Sequence, residues 1–401
     1  MMKFEVVIIG AGPAGSITAY TLAKRDVNVL IIEKQRQIGS SVHCAGGIIG
    51  SILERLKLIK KLEKYGVIKS NISAIKFIAP DKNMALFKLN RTIGHVVDRS
   101  KFDDCLATLA VNKGAILYLN SKFVKINGFN NNNGINIKIR QNNKLITLNT
   151  KILVGADGVK SQVANQAGFN VQLKYLGYGY SFDFDNVSNI NSNMMEVYFS
   201  EKIPGGYSWI FPTGNSSANF GCGGLGKSNF YYKKVFEYFI KKFPDINKKF
   251  KFAIKKRFTG GIVPISSPPR SCVKKNILIV GDAANQINSI TAEGIRFSLL
   301  CGKIAGLVIN YALQTNLQFL KNYDRYWRQF LGKEVFFSKI LRDFFFRFNN
   351  DDYNTIIKAV SKLNFNDIMV SYWSKVIRDI ALKTPSSIKL IRAKFRHVNY
   401  Q

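Results

Sequence analysis

The chain reads as an α/β protein: a dinucleotide-binding domain assembled from separated segments, with an inserted antiparallel sheet and a helical C-terminal region. Three observations predict this. A glycine cluster separates two apolar runs within the first 33 residues, and strand-then-glycine turns return near Gly155 and Gly281. Short alternating segments lie between those two turns, and helical spacing follows them. The expected division is residues 1–170 and 271–320 for the nucleotide-binding domain, with a small hairpin near 70–95. Residues 171–270 form the antiparallel-sheet domain, and 321–401 the helical region.

Residues 6–9, VVII, are a β-branched run suited to a buried parallel strand. Gly10, Gly12 and Gly15 follow at G-x-G-x-x-G spacing, and residues 14–23 continue as a helix with Ala14 in its first turn. The first glycine permits the tight turn, and the second lets the backbone approach a pyrophosphate. The third allows close helix–strand packing, while the helix N-terminus faces the anion. Residues 29–32 give the second strand, and Glu33 ends it, placed to accept hydrogen bonds from both hydroxyls of an adenosine ribose. The stretch implies a dinucleotide; NAD and FAD both satisfy it.

The formal charge of +34, from 59 Lys and Arg against 25 Asp and Glu, favours anionic partners such as lipid headgroups or phosphorylated substrates. Lys, Asn, Ile and Phe abound throughout, so part of that charge is compositional. No zinc module or RNA-binding aromatic signature accompanies it, and no nucleic-acid partner is expected. The five cysteines are scattered, without C-x-x-C, which argues against a metal cluster or disulfide framework. Met1 leads into a strand, not a signal peptide, and no apolar stretch of about 20 residues is evident, so a reducing cytoplasmic setting is expected.

Further along, residues 51–65 carry apolar side chains at helical spacing. Residues 72–79 and 84–89 suggest a hairpin around Pro80 and Asp81. Ser100 with Asp103 suggests a capping box for a helix to about residue 111. Residues 127–134, NGFNNNNG, read as a polar turn between strands. Residues 151–154 return to the sheet, and 176–263 alternate as short strands around one helix near 230–243. A strand at 276–280, a helix at 294–312 and helices beyond Leu317 complete the order, with no internal repeat.

In LVGADGVKS, Gly155, Asp157 and Gly158 form a sharp turn whose backbone and carboxylate can face a cofactor. In ILIVGDAANQINSITAEGI, Asp282 can bond a ribityl or ribose hydroxyl. The helix opening at Gly294 and Ile295 can face a pyrophosphate or a flavin ring carbonyl. Three such signatures in this order resemble the FAD-binding glutathione-reductase superfamily, especially its aromatic-hydroxylase branch. NAD dehydrogenases do not need the late Gly-Asp element, so the resemblance assigns the opening glycines to FAD.

Two more stretches narrow the resemblance. IGSSVHCAGGI holds Cys44 just before Gly46 and Gly47, and GGYSWIFP puts Tyr207, Trp209 and Phe211 on one face of a strand. With VVDRSKFDDCLATLA, they resemble the geranylgeranyl reductase family, most closely its archaeal ether-lipid branch, over roughly residues 3–320. The resemblance implies saturation of isoprenoid double bonds of membrane ether-lipid precursors by reduced FAD. It places Cys44 near the flavin ring, Tyr207, Trp209, Phe211 and Pro212 at the substrate cavity, and Arg99 near the FAD. Asn285 and Ser289 depart from the family's usual glycine and proline. Alternatives are a flavin monooxygenase of the hydroxylase branch, or a prenyl reductase acting on a chlorophyll or quinone precursor.

An isolated alkene is a poor hydride acceptor, so protonation with hydride capture of a tertiary cation is the expected route. The three aromatic rings suit such a cation, and Cys44 is either a proton donor or a cavity wall. No second G-x-G-x-x-G marks a nicotinamide domain, which leaves ferredoxin and NAD(P)H open as electron donor. Residues 321–347 mix seven basic residues with many aromatics, among them Trp327 and Phe345. That mixture predicts peripheral contact with anionic membrane.

Overall fold

Strand Met2–Ile9 lies at the centre of an eight-stranded sheet in the computed structural model, which describes residues 2–40, 44–129 and 134–362. It runs parallel to Val29–Ile32 on one side and to Lys144–Gly155 on the other. Ile116–Tyr118 and Ile277–Ile279 extend the parallel order outward on the two sides. Val6, Val7 and Ile8 are completely buried, as a strand covered on both faces requires. Ser121–Phe129 and Ile135–Gln141 add an antiparallel extension to the long central strand, and the turn expected between them falls partly outside the described residues.

Helices Pro13–Ala23 and Ile295–Gln314 cross the sheet side by side. A Cβ on Gly302 would lie 2.4 Å from the Ile17 side chain, and one on Gly306 2.6 Å from Thr21, so glycine sets the approach. Contrary to the sequence reading, Ile295–Gln314 is long and apolar enough to cross a membrane. Its apolar window is 61% buried within the protein.

A second sheet runs in the order Ile254–Phe258, Gly177–Asp185, Ser217–Leu225, Tyr207–Pro212, Met194–Tyr198, Ala74–Ile78 and Met84–Lys88. The hairpin expected around Pro80 forms, and it joins this sheet through the parallel pair Met194–Tyr198 with Ala74–Ile78. Two helices, Asn229–Lys242 and Pro244–Phe250, cover one face where the sequence suggested one, burying Tyr232, Phe236, Phe239 and Phe250. A small sheet of Gly47–Ile49, Gly94–Val97 and Ile68–Ile72 bridges the two large ones.

Three local expectations are corrected. The helix of residues 51–65 is two short ones, Ile52–Arg55 and Ile59–Lys64, broken where Lys57 takes φ 55°. Helix Arg99–Val111 is capped by Asp98, whose carboxylate accepts from the Ser100 and Lys101 amides, leaving Asp103 to pair with Arg99. In the C-terminal region, helix Asn322–Phe345 buries Tyr323 and Trp327 fully in the nucleotide-domain core, so Trp327 is not a surface anchor. Helix Asn350–Val360 follows; residues 363–401 lie outside the described residues.

Candidate active site

The three opening glycines do different work. A Cβ on Gly10, at φ +104°, would sit 2.4 Å from the Ala156 carbonyl oxygen, and one on Gly15 would sit 2.0 Å from that of Gly10. A Cβ on Gly12 would meet nothing within 4 Å, so this position faces open space at the helix start. Helix Pro13–Ala23 has no side-chain cap and no acid in its first turn, which leaves its amides and positive end for an anion. Glu33 is held at the end of its strand by the amides of Ala11 and Gln35, each at 2.9 Å. Those contacts orient the carboxylate and leave it lone pairs for hydroxyl donors.

Arg99 ties the separated signatures together. Its guanidinium grips Asp103 through both carboxylate oxygens at 3.0 Å. Burial works against the charge, but Asp103 and Cys44 outweigh it and hold Arg99 protonated. Arg99 is also the cation acting on Asp282, whose carboxyl burial pushes above the usual range. No described residue donates a hydrogen bond to the Asp282 carboxylate, so hydroxyl donors from a ligand would complete it.

Other expected residues take different places. The Asp157 carboxylate accepts from the Ser161 hydroxyl at 2.5 Å and the Gln162 and Val163 amides, fastening helix Gln162–Gln166. Gly158, at φ +80°, makes the turn that permits this. Asn285 takes φ 51°, the left-handed region that glycine enters freely and asparagine more readily than most residues. The loop therefore keeps a glycine-like path, and the Asn285 amide donates to the Gln172 and Ser267 carbonyls. Ser289 donates its backbone N–H to Ser338 Oγ at 3.0 Å, a bond proline could not make. Gly294 and Ile295 open helix Ile295–Gln314 without a side-chain cap.

Beyond this turn lies an apolar cavity of about 320 Å³. Cys44, Gly46 and Gly47 form one end, and Tyr207, Trp209 and Phe211 line its wall, adjacent ring centroids 5.8 and 6.2 Å apart. Trp209 Nε1 donates to Asn219 Oδ1 at 2.9 Å, and Asn219 in turn donates to Asp183 and Thr259, which fixes the indole. Tyr207 donates to the Thr291 carbonyl at 2.5 Å; burial first, then Glu293 and Cys44, hold its hydroxyl protonated. Pro212 does not join the row. Side chains alternate along Tyr207–Pro212, and Pro212 is buried on the other face, outside the cavity lining.

Residues 3–219 match the family model described as FAD binding domain. The chain is 30% identical to the digeranylgeranylglycerophospholipid reductase of Methanococcus vannielii, covering 97% of this chain and 98% of the relative. The like-named protein of Methanocaldococcus jannaschii is also 30% identical, over 97% of each chain. The chain belongs to the digeranylgeranylglycerophospholipid reductase family. Its fold matches the solved structure of a geranylgeranyl bacteriochlorophyll reductase-like protein from Thermoplasma acidophilum, with TM-score 0.88 at 24% identity over 98% and 100% of the two chains. A flavin-dependent brominase shares the fold more distantly, with TM-score 0.70 at 18% identity over 94% and 100%.

FAD is the cofactor of this family member, and the residues fit it. Gly12 would offer the open approach, Glu33 would accept from the ribose, Asp282 has no donor among the described residues, and two uncapped helix starts would offer amides. Sequence reasoning missed two features of this reductase. Gly177, Gly179, Gly223, Gly224, Gly260 and Gly261 floor the cavity, scattered over strands that betray no shared purpose until they pair. Phe344 and Phe345, assigned from sequence to a membrane-facing stretch, also line it, together with Leu341, Tyr353, Ile357 and Val360. The Arg99–Asp103 pair was readable as an i,i+4 ion pair and was passed over in favour of the capping box.

Proposed function

We propose that this protein uses bound FAD to saturate isoprenoid double bonds of geranylgeranyl ether-lipid precursors. The observation that carries the reading is an apolar cavity, walled by three aromatic rings, that begins at Cys44 beside the Arg99 cluster. A flexible polyprenyl chain suits such a lining, because glycine floor and aromatic wall offer contact area without polar groups that would go unpaired.

FAD, when bound and reduced, supplies the hydride. The chain's own residues must then stabilise positive charge on a substrate carbon and exclude water. Faces of Tyr207, Trp209 and Phe211 offer cation–π attraction of about 1 to 2 kcal/mol per ring in a dry site. Asn219 keeps Trp209 from turning away. Helices Asn322–Phe345 and Asn350–Val360 add Phe344, Phe345, Tyr353 and Ile357 to the apolar lining. Electrons come from an external donor, ferredoxin or NAD(P)H, since the G-x-G-x-x-G of residues 10–15 belongs to FAD and the same spacing at residues 221–226 falls in and just after strand Ser217–Leu225 rather than at a helix start.

The helix that lines the cavity also bears an outward face where Phe330 and Phe336 are 63% and 61% exposed, near the exposed Lys333 and Lys339. This face supports peripheral docking on anionic lipid, from which a tailed substrate enters. The test is to purify the protein with its yellow flavin, reduce it, and add unsaturated ether lipid. Mass gains in hydrogen pairs are expected; a gain of oxygen would replace this reading with a hydroxylase.

A further inference from the structure

Two carboxyl groups line the cavity outside the aromatic row and the flavin cradle, Glu293 and Glu334. Glu293 lines the cavity two residues after Thr291, the carbonyl partner of Tyr207. Its side chain is 16% exposed, and its Oε2 accepts from Arg296 Nε at 3.0 Å and Nη2 at 2.9 Å. Arg296 also pairs with Glu334, which accepts in addition from Asn288 Nδ2 at 3.1 Å. Two carboxylates therefore share one guanidinium; Asn288 adds a donor to Glu334, and the Ile49 backbone acts on Glu293. Glu293 Oε1 is buried with no hydrogen-bond partner.

With both carboxylates ionised, this unit would hold one uncompensated negative charge against an apolar cavity, a costly state. A proton on Glu293 removes the charge and makes its free oxygen an O–H donor. The groups facing it agree. Burial is the largest influence and pushes the Glu293 carboxyl up. Arg296 and the Ile49 backbone pull it down, and Glu334 from helix Asn322–Phe345 pushes it up again. Tyr207 and Cys44 complete the surroundings, and a carboxylic acid is a much stronger acid than either phenol or thiol.

We propose that Glu293 is the acid that protonates the isoprenoid double bond, with Arg296 and Glu334 as positioning residues. This rests on the reductase reading above. The Glu293 O–H bond breaks and the alkene π pair forms a C–H bond at the less substituted carbon. Reduced FAD, when bound, would supply the hydride and its two electrons to the tertiary cation, and the carboxylate regains a proton from water. While ionised, Glu293 sits as counter-charge to the cation, between Arg296 and the aromatic wall. Cys44 is then part of the wall.

The test joins a spectroscopic readout to turnover. In flavin-free protein at neutral pH, the infrared carbonyl bands of protonated carboxyls should include one component that is lost in E293Q, whatever the buried Asp282 carboxyl contributes. In the flavin-loaded protein, E293Q should keep FAD yet lose about 100-fold or more of the alkene reduction rate, and E293D should recover part of it. The unmodified enzyme should slow as pH rises through the Glu293 pKa, because the acid form is lost. That limb is read without any variant, and its absence would overturn the assignment. An unchanged infrared band or E293Q turnover near the parent rate would do the same. Unmodified protein that never saturates the lipid would overturn the reductase reading itself.

Discussion

Around the opening glycine turn, an added atom collides at once: a Cβ on Gly15 would lie 2.0 Å from a backbone oxygen. In the cavity the constraint is mixed. A Cβ on Gly223, Gly224 or Gly260 would lie 2.7, 2.7 or 2.3 Å from a backbone carbonyl oxygen, but one on Gly179 would stand 3.7 Å from Trp209, an ordinary contact. The nucleotide turn is fixed by backbone approach within one short segment, and the cavity floor by backbone approach between strands far apart in sequence. What remains adjustable in the cavity is its aromatic wall and its open positions such as Gly179.

The largest effect expected along that divide is at the third glycine. Gly15→Val forces side-chain atoms into backbone that cannot yield, and should cost about 3 kcal/mol or more and abolish flavin binding. Gly12→Ala is its control. It should leave the flavin-free protein within about 0.5 kcal/mol of the parent while losing FAD, because its clash is with the ligand alone. Thermal unfolding beside flavin absorbance separates the two. Equal unfolding temperatures for the two variants would erase the distinction.

Glu33→Ala should weaken FAD binding by about 10- to 100-fold, the worth of charged hydrogen bonds to ribose, with folding little changed. Fluorescence titration of flavin-free protein reads this, and unchanged affinity would remove Glu33 from the site. In the cavity, Trp209→Leu should retain FAD and slow alkene reduction by about 10-fold, the scale of one cation–π contact. A parental rate would reduce the row to packing.

The smallest effect concerns docking. Binding to anionic vesicles should fall with salt as the Debye length shrinks to about 10 Å at 0.1 M. Replacing Phe336 and Phe337 by Ser should remove the salt-resistant remainder, a change of about a few-fold. Co-sedimentation across a salt series checks both, and no binding at low salt would leave the +34 charge without a membrane role.

How much of this was legible in the sequence follows from the same divide. The glycine turns were readable because local backbone geometry dictates residue type over a handful of positions. The aromatic row was readable because strand alternation is local too. Pro212 was misplaced when the motif was taken whole rather than by its alternation. The glycine floor, the far wall and the Glu293–Arg296–Glu334 unit were not legible, since they join segments far apart in sequence. Trp327 was misjudged because aromatic and basic residues in one helix look alike whichever face is buried; its indole is at 0% exposure, bonded to Asp324.

The central claim is that electrons leave the flavin for a carbon–carbon double bond and not for oxygen. Mixing reduced holoenzyme with unsaturated ether lipid under strict exclusion of oxygen tests it most directly. Oxidised-flavin absorbance should return in a single turnover, with one double bond saturated per flavin reoxidised. Flavin that stays reduced until oxygen is admitted, with oxygen then appearing in the lipid, would contradict the account.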